Sequence, residues 1–202
     1  MTMTADTQRE WITCADTAKL VRGALKRAFP DVKFSVRSDT YAGGASIRVR
    51  WTDGPTSEQV DAVTGAYAGA DFDGMIDLKV SVQRWLHPDG TVTLAHREGT
   101  NGSFVELIGD PIGPAARLVR FGADFVPTCR DISDEWRDEI LELFEQKAGQ
   151  PIDRDRDAYY RTRLPLHVTR EGDVLPMVDS ETEYVNDLVH RYTATHARGE
   201  RG

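Results

Sequence analysis

The sequence predicts an α+β fold, a mainly antiparallel sheet with two to three helices on one face and a C-terminal helical appendage. Segments 32–37 and 46–51 alternate apolar and polar residues, which is typical of strands with one covered face. Apolar residues recur at helical spacing elsewhere, and Gly, Pro and Asp clusters separate these segments. We expect an α+β domain over residues 11–148, followed by a linker and an amphipathic helix over residues 149–202.

The first helix is predicted from about residue 16 to residue 29, and Pro30 ends it. Thr13 and Asp16 have the spacing of a capping box. One face of this helix is apolar and consists of Val21, Ala24, Leu25 and Ala28. Lys19, Arg22, Lys26 and Arg27 are its basic residues, which we interpret as added positive charge or as an ordinary solvated face.

Two strands then flank a turn at residues 41–45, where Gly43 and Gly44 are free to take a positive φ. The inward side chains of the strands are Val32, Phe34, Val36, Ile47, Val49 and Trp51. The outward side chains include four cations, Lys33, Arg37, Arg48 and Arg50. The sequence therefore predicts a basic, uncovered side of an antiparallel strand pair.

The next segments are predicted from turn and periodicity signals. Asp53-Gly54-Pro55 forms a turn, and Thr56 begins a helix whose buried stripe is Val60, Val63 and Tyr67. Strands are expected at residues 78–86 and 91–96, joined by a hairpin turn. Weaker strand signals lie at residues 104–108 and 123–129, and the strand order between Trp85 and Arg120 stays open.

The C-terminal third contains two predicted helices. Ser133 caps the first, which Gly149 ends, and its apolar face carries Trp136, Ile140, Leu143 and Phe144. Segment 153–163 is expected to be a solvated helix or linker. Ser180 and Glu183 have capping-box spacing before a last helix with an apolar stripe of Val185, Leu188, Val189 and Tyr192.

Charge is distributed unevenly along a chain of net charge -8. Residues 1–51 contain nine Lys and Arg against five Asp and Glu, which indicates a partner for one face. The sequence lacks a signal-peptide core and an apolar run of membrane-spanning length, so we expect a cytoplasmic protein without a membrane partner. Cys14 and Cys129 are expected to be reduced core residues, with a disulfide between them left open.

The four outward cations suggest an anionic partner. Like charges on adjacent strands repel each other unless something negative lies between them. The anion could be phosphate, from nucleic acid or a nucleotide, or carboxylates from elsewhere in this acidic chain, and the sequence leaves both open. No aromatic residue interleaves these four positions, so a base-stacking platform is not indicated.

Other chemistry has weaker support. Asp71, Asp73 and Asp77 could hold a hard cation, but their spacing does not match a calcium loop, and a turn in which each Asp accepts backbone N–H bonds explains them better. Motifs of hydrolases, P-loop proteins, zinc proteases and dinucleotide-binding proteins are absent. We interpret the five histidines as surface or capping residues, and Cys129 as a buried strand residue.

The segment from Cys14 to Asp77 resembles the large polyvalent protein-associated domain numbered 29 in its series. The motifs are the helix at Thr17-Ala18, FPDVKFSVRSDTYAGGASIRVRWTDGPT and FDGMID, and GADFVPTCRDIS resembles the domain's end, so the likeness covers roughly residues 11–147. The chain departs from the family between Trp85 and Arg120. The resemblance implies an accessory protein of a phage, plasmid or other mobile element, often actinobacterial, acting inside the host cell. It implies no catalytic residues.

Three functions follow as hypotheses. The leading one is a non-enzymatic accessory protein that meets an anionic partner such as nucleic acid through Lys33, Arg37, Arg48 and Arg50. The second is a metal-dependent enzyme acting on a nucleotide or nucleic acid. The third is an inhibitor of a host protein, with the C-terminal helix docking on that protein or on a second copy as a homodimer. We expect no cofactor and assign no catalytic or metal-binding residue.

Overall fold

The computed structural model describes residues 9–73, 77–97, 106–107, 115–177 and 181–198. Contacts divide the chain into two compact units, and each unit combines two separate segments. The first unit contains residues 1–50 and 58–129, and the second contains residues 51–57 and 130–202. The predicted domain division at residue 148 stays a prediction.

Helices and strands alternate through the first two thirds of the chain, which confirms the α+β class. The elements are β1 (Glu10–Ile12), α1 (Cys14–Ala28), β2 (Ser35–Tyr41), β3 (Gly44–Thr52), α2 (Ser57–Thr64), β4 (Ala70–Asp73), β5 (Leu78–Leu86), β6 (Val92–Arg97), β7 (Glu106–Leu107), β8 (Arg117–Phe121) and β9 (Thr128–Asp131).

The larger sheet has the strand order β1-β8-β5-β6-β7, and β4 pairs with β5 beside this path. All of these pairs are antiparallel except β1 with β8, which are parallel. For the strands described between Trp85 and Arg120, whose order the sequence left open, β8 lies on one side of β5 and β6 and then β7 on the other. The predicted strand over residues 78–86 is confirmed at Leu78–Leu86.

Helix α1 begins at Cys14, two residues earlier than predicted. The Thr13 hydroxyl accepts a hydrogen bond from the Asp16 N–H at 3.1 Å and donates to the Asp16 carboxylate at 2.7 Å, so this cap forms as the spacing indicated. Its buried residues include Val21 and Leu25, on the face predicted to be apolar.

The hairpin of β2 and β3 has alternating burial along β3. Ala45, Ile47, Val49 and Trp51 are buried, as the alternation predicts. The turn is tighter than expected, because the strands extend through Tyr41 and Gly44 and only Gly43 of the two glycines has a positive φ, of 91°. Strand β2 begins at Ser35, so the strand conformation predicted for Val32 to Phe34 was wrong.

Gly69 lies where two backbone segments approach closely. A Cβ at this position would be 2.0 Å from the Phe121 carbonyl oxygen, and the backbone cannot yield there without breaking the bond from the Gly69 N–H to Ala123. We expect Gly69→Ala to lower the free energy of unfolding by about 1–3 kcal/mol. Gly65→Ala is the control, since a Cβ at Gly65 meets nothing within 4 Å.

Urea unfolding followed by circular dichroism measures both variants. A Gly69→Ala midpoint equal to that of Gly65→Ala would show that the two backbone segments separate easily at this point.

The second unit contains the remaining elements around its own core. They are α3 (Asp134–Ala148), α4 (Arg156–Tyr159), β10 (Arg163–Leu164), β11 (Leu166–Val168), β12 (Val174–Pro176), β13 (Glu183–Tyr184) and α5 (Val185–Thr195). Strand β10 pairs with β13 and β11 with β12, both antiparallel. Trp136, Phe144, Leu166 and Leu188 are buried together in the core.

The two helices predicted in this part of the chain are present. The Ser133 hydroxyl caps α3, and Gly149 ends it with a φ of 68°. Helix α5 contributes Val185 and Leu188 to the core of the second unit, so its apolar stripe packs within that unit. The capping box predicted with Glu183 is wrong, because Glu183 lies in β13 and α5 begins at Val185 without a side-chain cap. Ser180 lies outside the described residues.

Segment 153–163 is more ordered than a linker. It contains the single turn of α4, capped by the Asp155 side chain, and leads into β10. None of the helices within the described ranges is both long and apolar enough to cross a membrane.

Candidate anion-binding face

Two arginines face each other on the exposed side of the β2–β3 pair. Arg37 lies directly opposite Arg48, and Ser35 lies opposite Arg50. All three arginines are exposed. We call this exposed side of β2 and β3 the basic face. Lys33 is also exposed but lies two residues before β2, outside the paired strands.

The partners of these cations differ. Arg50 interacts with another group of the chain. Across the parts of the chain that the structure describes, Lys33, Arg37 and Arg48 form no ion pair. Because directly opposed like charges destabilise a strand pair, Arg37 and Arg48 carry a cost that an anion would relieve.

The opposite side of the hairpin is covered by α1, whose cations are engaged within the chain. Lys19 forms an ion pair with Asp16 at 2.7 Å, and a guanidinium nitrogen of Arg22 donates to the Val36 carbonyl at 2.6 Å. Lys26 donates to the Pro30 carbonyl. Lys19, Arg22 and Lys26 therefore each have a partner within the chain, and they belong to the opposite side of the hairpin from the basic face.

A third segment, residues 125–129, extends the basic face beyond β3. The Ile47 and Val49 N–H groups donate to the carbonyls of Phe125 and Pro127, both at 3.0 Å, and Ser46 and Phe125 form a parallel bridge. Bridged residues carry their side chains on the same side of a sheet, so Phe125 lies on the side of Ser46, Arg48 and Arg50.

Burial along this third segment agrees with that assignment. Phe125, Pro127 and Cys129 are exposed, whereas Val126 and Thr128 are half-buried. The sequence indicated a strand over residues 123–129, whereas the structure has an isolated bridge at Phe125 and the strand β9 at Thr128–Asp131. The sequence contained no signal that this segment lies beside β3, because parallel pairing of distant segments leaves no local pattern.

Tyr41 ends β2 on the same side as Arg37, because it is four residues farther along the strand. Its ring lies against Gly44, where a Cβ would be 3.2 Å from the ring and 2.4 Å from the Asp124 carboxylate. The Asp124 carboxylate forms an ion pair with Lys79 at 3.0 Å. Because Gly44 has no side chain, the Tyr41 ring can lie against its backbone. The Asp124 carboxylate near this ring is paired with Lys79.

Asp39 is the acidic residue of β2 on this side, opposite Ser46. It is exposed and lies two residues from Arg37 along the strand. No ion pair joins Asp39 to Arg37 within the described part of the chain. Asp39 reduces the positive potential of the face without neutralising a specific arginine.

The acidic segment over residues 71–77, which suggested a metal site, has local backbone and electrostatic roles at Asp71 and Asp77. The Asp71 carboxylate accepts a hydrogen bond from the Phe72 N–H at 2.8 Å and acts electrostatically on Arg84. Asp77 has a φ of 53°, in the left-handed region that Asp tolerates at turns. The Asp73 side chain is outside the described set, and no three metal-binding side chains come together within that set.

One histidine and one cysteine, His87 and Cys129, differ from their predicted environments. His87 is buried and its Nε2 lies 2.9 Å from the Thr93 hydroxyl, so it is a structural residue of the β5–β6 hairpin. Cys129 is exposed, which corrects its prediction as a buried residue. Cys14 is half-buried, and burial raises the pKa of its thiol. Both cysteines are free thiols.

The second unit contains a polar cluster that the sequence analysis missed. One Glu183 carboxylate oxygen lies 2.7 Å from His167 Nδ1, and the other lies 2.6 Å from an Arg191 guanidinium nitrogen. The cluster joins β11, β13 and α5, so it serves the packing of the second unit. No pattern predicts it, because its members come from three separate elements.

Comparison with known proteins identifies the family of the chain. No curated protein and no solved structure matches the sequence. The family described as large polyvalent protein associated domain 29 matches residues 12–133, which is more than half of the chain and includes every residue of the basic face. The chain therefore belongs to the large polyvalent protein associated domain 29 family.

Proposed function

We propose that this protein is a non-enzymatic accessory protein of a phage or related mobile element, and that it binds nucleic acid through the basic face. Family membership supports the association with such elements. The observation that carries the binding proposal is the direct opposition of Arg37 and Arg48, both exposed.

Phosphate suits this arrangement for geometric reasons. A guanidinium presents several N–H donors in a planar fork that matches phosphate oxygens, and the group stays charged at all physiological pH values. Two guanidinium groups on directly opposed residues can share one phosphate or hold adjacent phosphates. Arg50 adds a further exposed cation on β3, and Lys33 is exposed two residues before β2 begins.

The net charge of -8 does not prevent this binding. Charges separated by more than about 10 Å are largely screened at 0.1 M salt, so distant acids act weakly on a ligand at the face. The nearby cations dominate at contact distance. Affinity should therefore be modest and should depend on a small number of phosphate contacts.

We predict that the double variant Arg37→Glu with Arg48→Glu binds a short labelled oligonucleotide at least about tenfold more weakly than the unaltered protein. The slope of log affinity against log salt should become shallower by about 1.4–1.8, because each lost phosphate contact removes about 0.7 for a single strand and about 0.9 for duplex. Fluorescence anisotropy across a salt series measures both quantities.

The control is the pair Arg161→Glu with Arg170→Glu, which makes the same change in net charge at exposed positions of the second unit. Equal loss of affinity in both double variants would assign the effect to net charge and reject the basic face. Absence of binding by the unaltered protein at low salt would reject nucleic acid as the ligand.

Cys129 offers an independent test of location. In a Cys14→Ser background Cys129 is the remaining thiol, and it lies exposed on the segment beside β3. Bound oligonucleotide should slow alkylation of this thiol by iodoacetamide. An unchanged alkylation rate at saturating oligonucleotide would place the contact on another surface.

A further inference from the structure

We infer that the basic face binds single-stranded nucleic acid in preference to duplex, with bases stacking on the exposed rings of Tyr41 and Phe125. The inference rests on the proposed function and specifies the ligand class of the same surface. It comes from three segments that the structure brings together, β2, β3 and the segment that contains Phe125.

The two rings are available on the side that carries the arginines. Tyr41 is 50% exposed and Phe125 is 39% exposed, so each ring has solvent on a substantial part of its surface. Single exposed aromatic residues are common and need no explanation. Two of them lie on one sheet side with Arg37 and Arg48, which form no ion pair within the described residues, and this is the combination that nonspecific single-strand binders use.

The backbone fixes the positions of the two residues. The Tyr41 ring lies against Gly44, whose lack of a side chain leaves room for the ring and for the Asp124 carboxylate. The Phe125 backbone is held at the strand level of Ser46 by the hydrogen bond from the Ile47 N–H to the Phe125 carbonyl. Backbone positions that are fixed before binding limit the conformational freedom lost when a base stacks on the rings.

The spacing suits a flexible strand. Tyr41 lies at the level of Gly44 on one side of β3, and Phe125 lies at the level of Ser46 on the other side. With strands about 4.8 Å apart and a rise of about 3.3 Å per residue, their backbones are roughly 12 Å apart. Arg48 lies two residues beyond Ser46 on β3, on the side away from Gly44, so it can contact the phosphate that follows a base stacked on Phe125.

Duplex does not use such rings. Its bases are already stacked on one another and are paired inside the helix, so flat exposed rings gain little from it. An unpaired base exposes its faces, and every base type has a face that can stack. The protein should therefore bind single strands more tightly than duplex, and its affinity should depend little on base sequence.

The test compares four ligands of equal length by fluorescence anisotropy, namely a deoxythymidine strand, a deoxyadenosine strand, a mixed-sequence duplex and an abasic strand. The abasic strand keeps the phosphates and removes the bases. We expect the unaltered protein to bind both base-containing strands at least about tenfold more tightly than the duplex and the abasic strand.

Tyr41→Ala and Phe125→Ala should each weaken binding of the base-containing strands roughly tenfold and leave binding of the abasic strand unchanged. Tyr41→Phe and Phe125→Trp keep a ring and should retain the affinity. Tyr160→Ala, which removes a ring that is 65% exposed in the second unit, is the control and should have no effect. Circular dichroism confirms that each variant is folded.

The outcomes separate this inference from the proposed function. Equal affinity for all four ligands, with no effect of Tyr41→Ala and Phe125→Ala, would overturn the stacking inference and leave phosphate binding intact. Tighter binding of the duplex than of the base-containing strands would also overturn the stacking inference and leave phosphate binding intact. If the unaltered protein binds none of the four ligands, both the inference and the proposed function fail.

Discussion

Leu188→Ala is expected to cause a large loss of stability in this protein. Leu188 has no exposed surface and packs in the core of the second unit with Trp136 and Phe144. Removing buried methyl groups loses their transfer free energy and leaves a cavity, which together lower the free energy of unfolding by about 2–5 kcal/mol. This is a large fraction of the stability of a small unit.

Leu175→Ala is the matched control, since the same atoms are removed from a side chain that is 49% exposed in β12. Its effect should stay within about 0.5 kcal/mol. Urea unfolding monitored by tryptophan fluorescence compares the two, because Trp136 reports on the core that contains Leu188. Equal midpoints for the two variants would show that α5 can leave the second unit without disrupting its core.

The same packing bears on the expected homodimer. The apolar stripe of α5 suggested a surface for a second copy or a host protein, and that stripe packs against α3, β11 and β13 of its own unit. Association of two copies stays a prediction. A dimer interface through this stripe would have to displace Val185 and Leu188 from a core in which both are completely buried.

Asp53→Asn is expected to give the second large loss of stability. The Asp53 carboxylate accepts hydrogen bonds from the Ser133 N–H at 2.8 Å, the Ser133 hydroxyl at 2.7 Å and the Arg198 guanidinium at 2.6 Å. Asp53 is buried, so removing its charge while keeping the donors leaves them poorly paired and should cost about 3–5 kcal/mol.

Asn is the informative replacement at this position. Asp53 has a φ of 56° and precedes Gly54 with a φ of 62°, and Asn adopts such left-handed conformations readily. Asp53→Asn therefore preserves the turn and removes mainly the charge. Arg198→Ala is the companion variant, and it should cause a smaller loss because the Arg198 side chain is partly exposed.

The pH dependence follows from the pKa of Asp53. Burial favours the protonated form, but the hydrogen bonds from Ser133 and Arg198 outweigh it and hold the pKa of Asp53 below its ordinary value. A group with a lowered folded-state pKa stabilises the protein above its unfolded pKa of about 3.9, and this contribution disappears as pH falls through the folded pKa.

The difference in free energy of unfolding between the unaltered protein and Asp53→Asn should thus be largest at neutral pH. It should become smaller below about pH 4, where Asp53 of the unaltered protein becomes protonated. Thermal unfolding at several pH values measures it. A difference that is constant from neutral pH into this acid range would mean that charge at Asp53 has no part in stabilising the second unit.

Arg130 shares the surroundings of Asp53. Burial lowers the pKa of Arg130 to about 10, and its side chain donates to carbonyl groups of Gly54, Thr193 and His196 while its guanidinium lies 4.5 Å from the centre of the Trp136 ring. The guanidinium remains charged at neutral pH. A negative Asp53 therefore helps to keep a half-buried cation in place, which adds to the expected effect of Asp53→Asn.

Local patterns predicted the elements whose causes are local. Alternation indicated the buried side of β3, capping side chains indicated the starts of α1 and α3, and Gly149 indicated the end of α3. The basic face was predictable in part for the same reason, since the outward positions of two neighbouring strands follow from a period of two.

Elements that depend on distant pairing were not predictable. Strand β1 is parallel to β8, and the two are linked by the ion pair of Glu10 with Arg117, 107 residues apart. The placement of Phe125 beside Ser46 is of the same kind, so its presence on the basic face could not be predicted, whereas the side of Tyr41 follows from its spacing from Arg37 along β2. Such contacts depend on the register of the whole sheet, which no short window of sequence contains.

The Asp53 network also has a consequence for the timing of protein synthesis. Ser133 and Arg198 lie 80 and 145 residues after Asp53 in the chain. At about 5–20 residues per second, a ribosome adds Arg198 roughly 7–29 s after Asp53. During this interval Ser133 is added, but the Asp53 carboxylate lacks its Arg198 partner. The second unit can therefore reach its final stability only after Arg198 has been added.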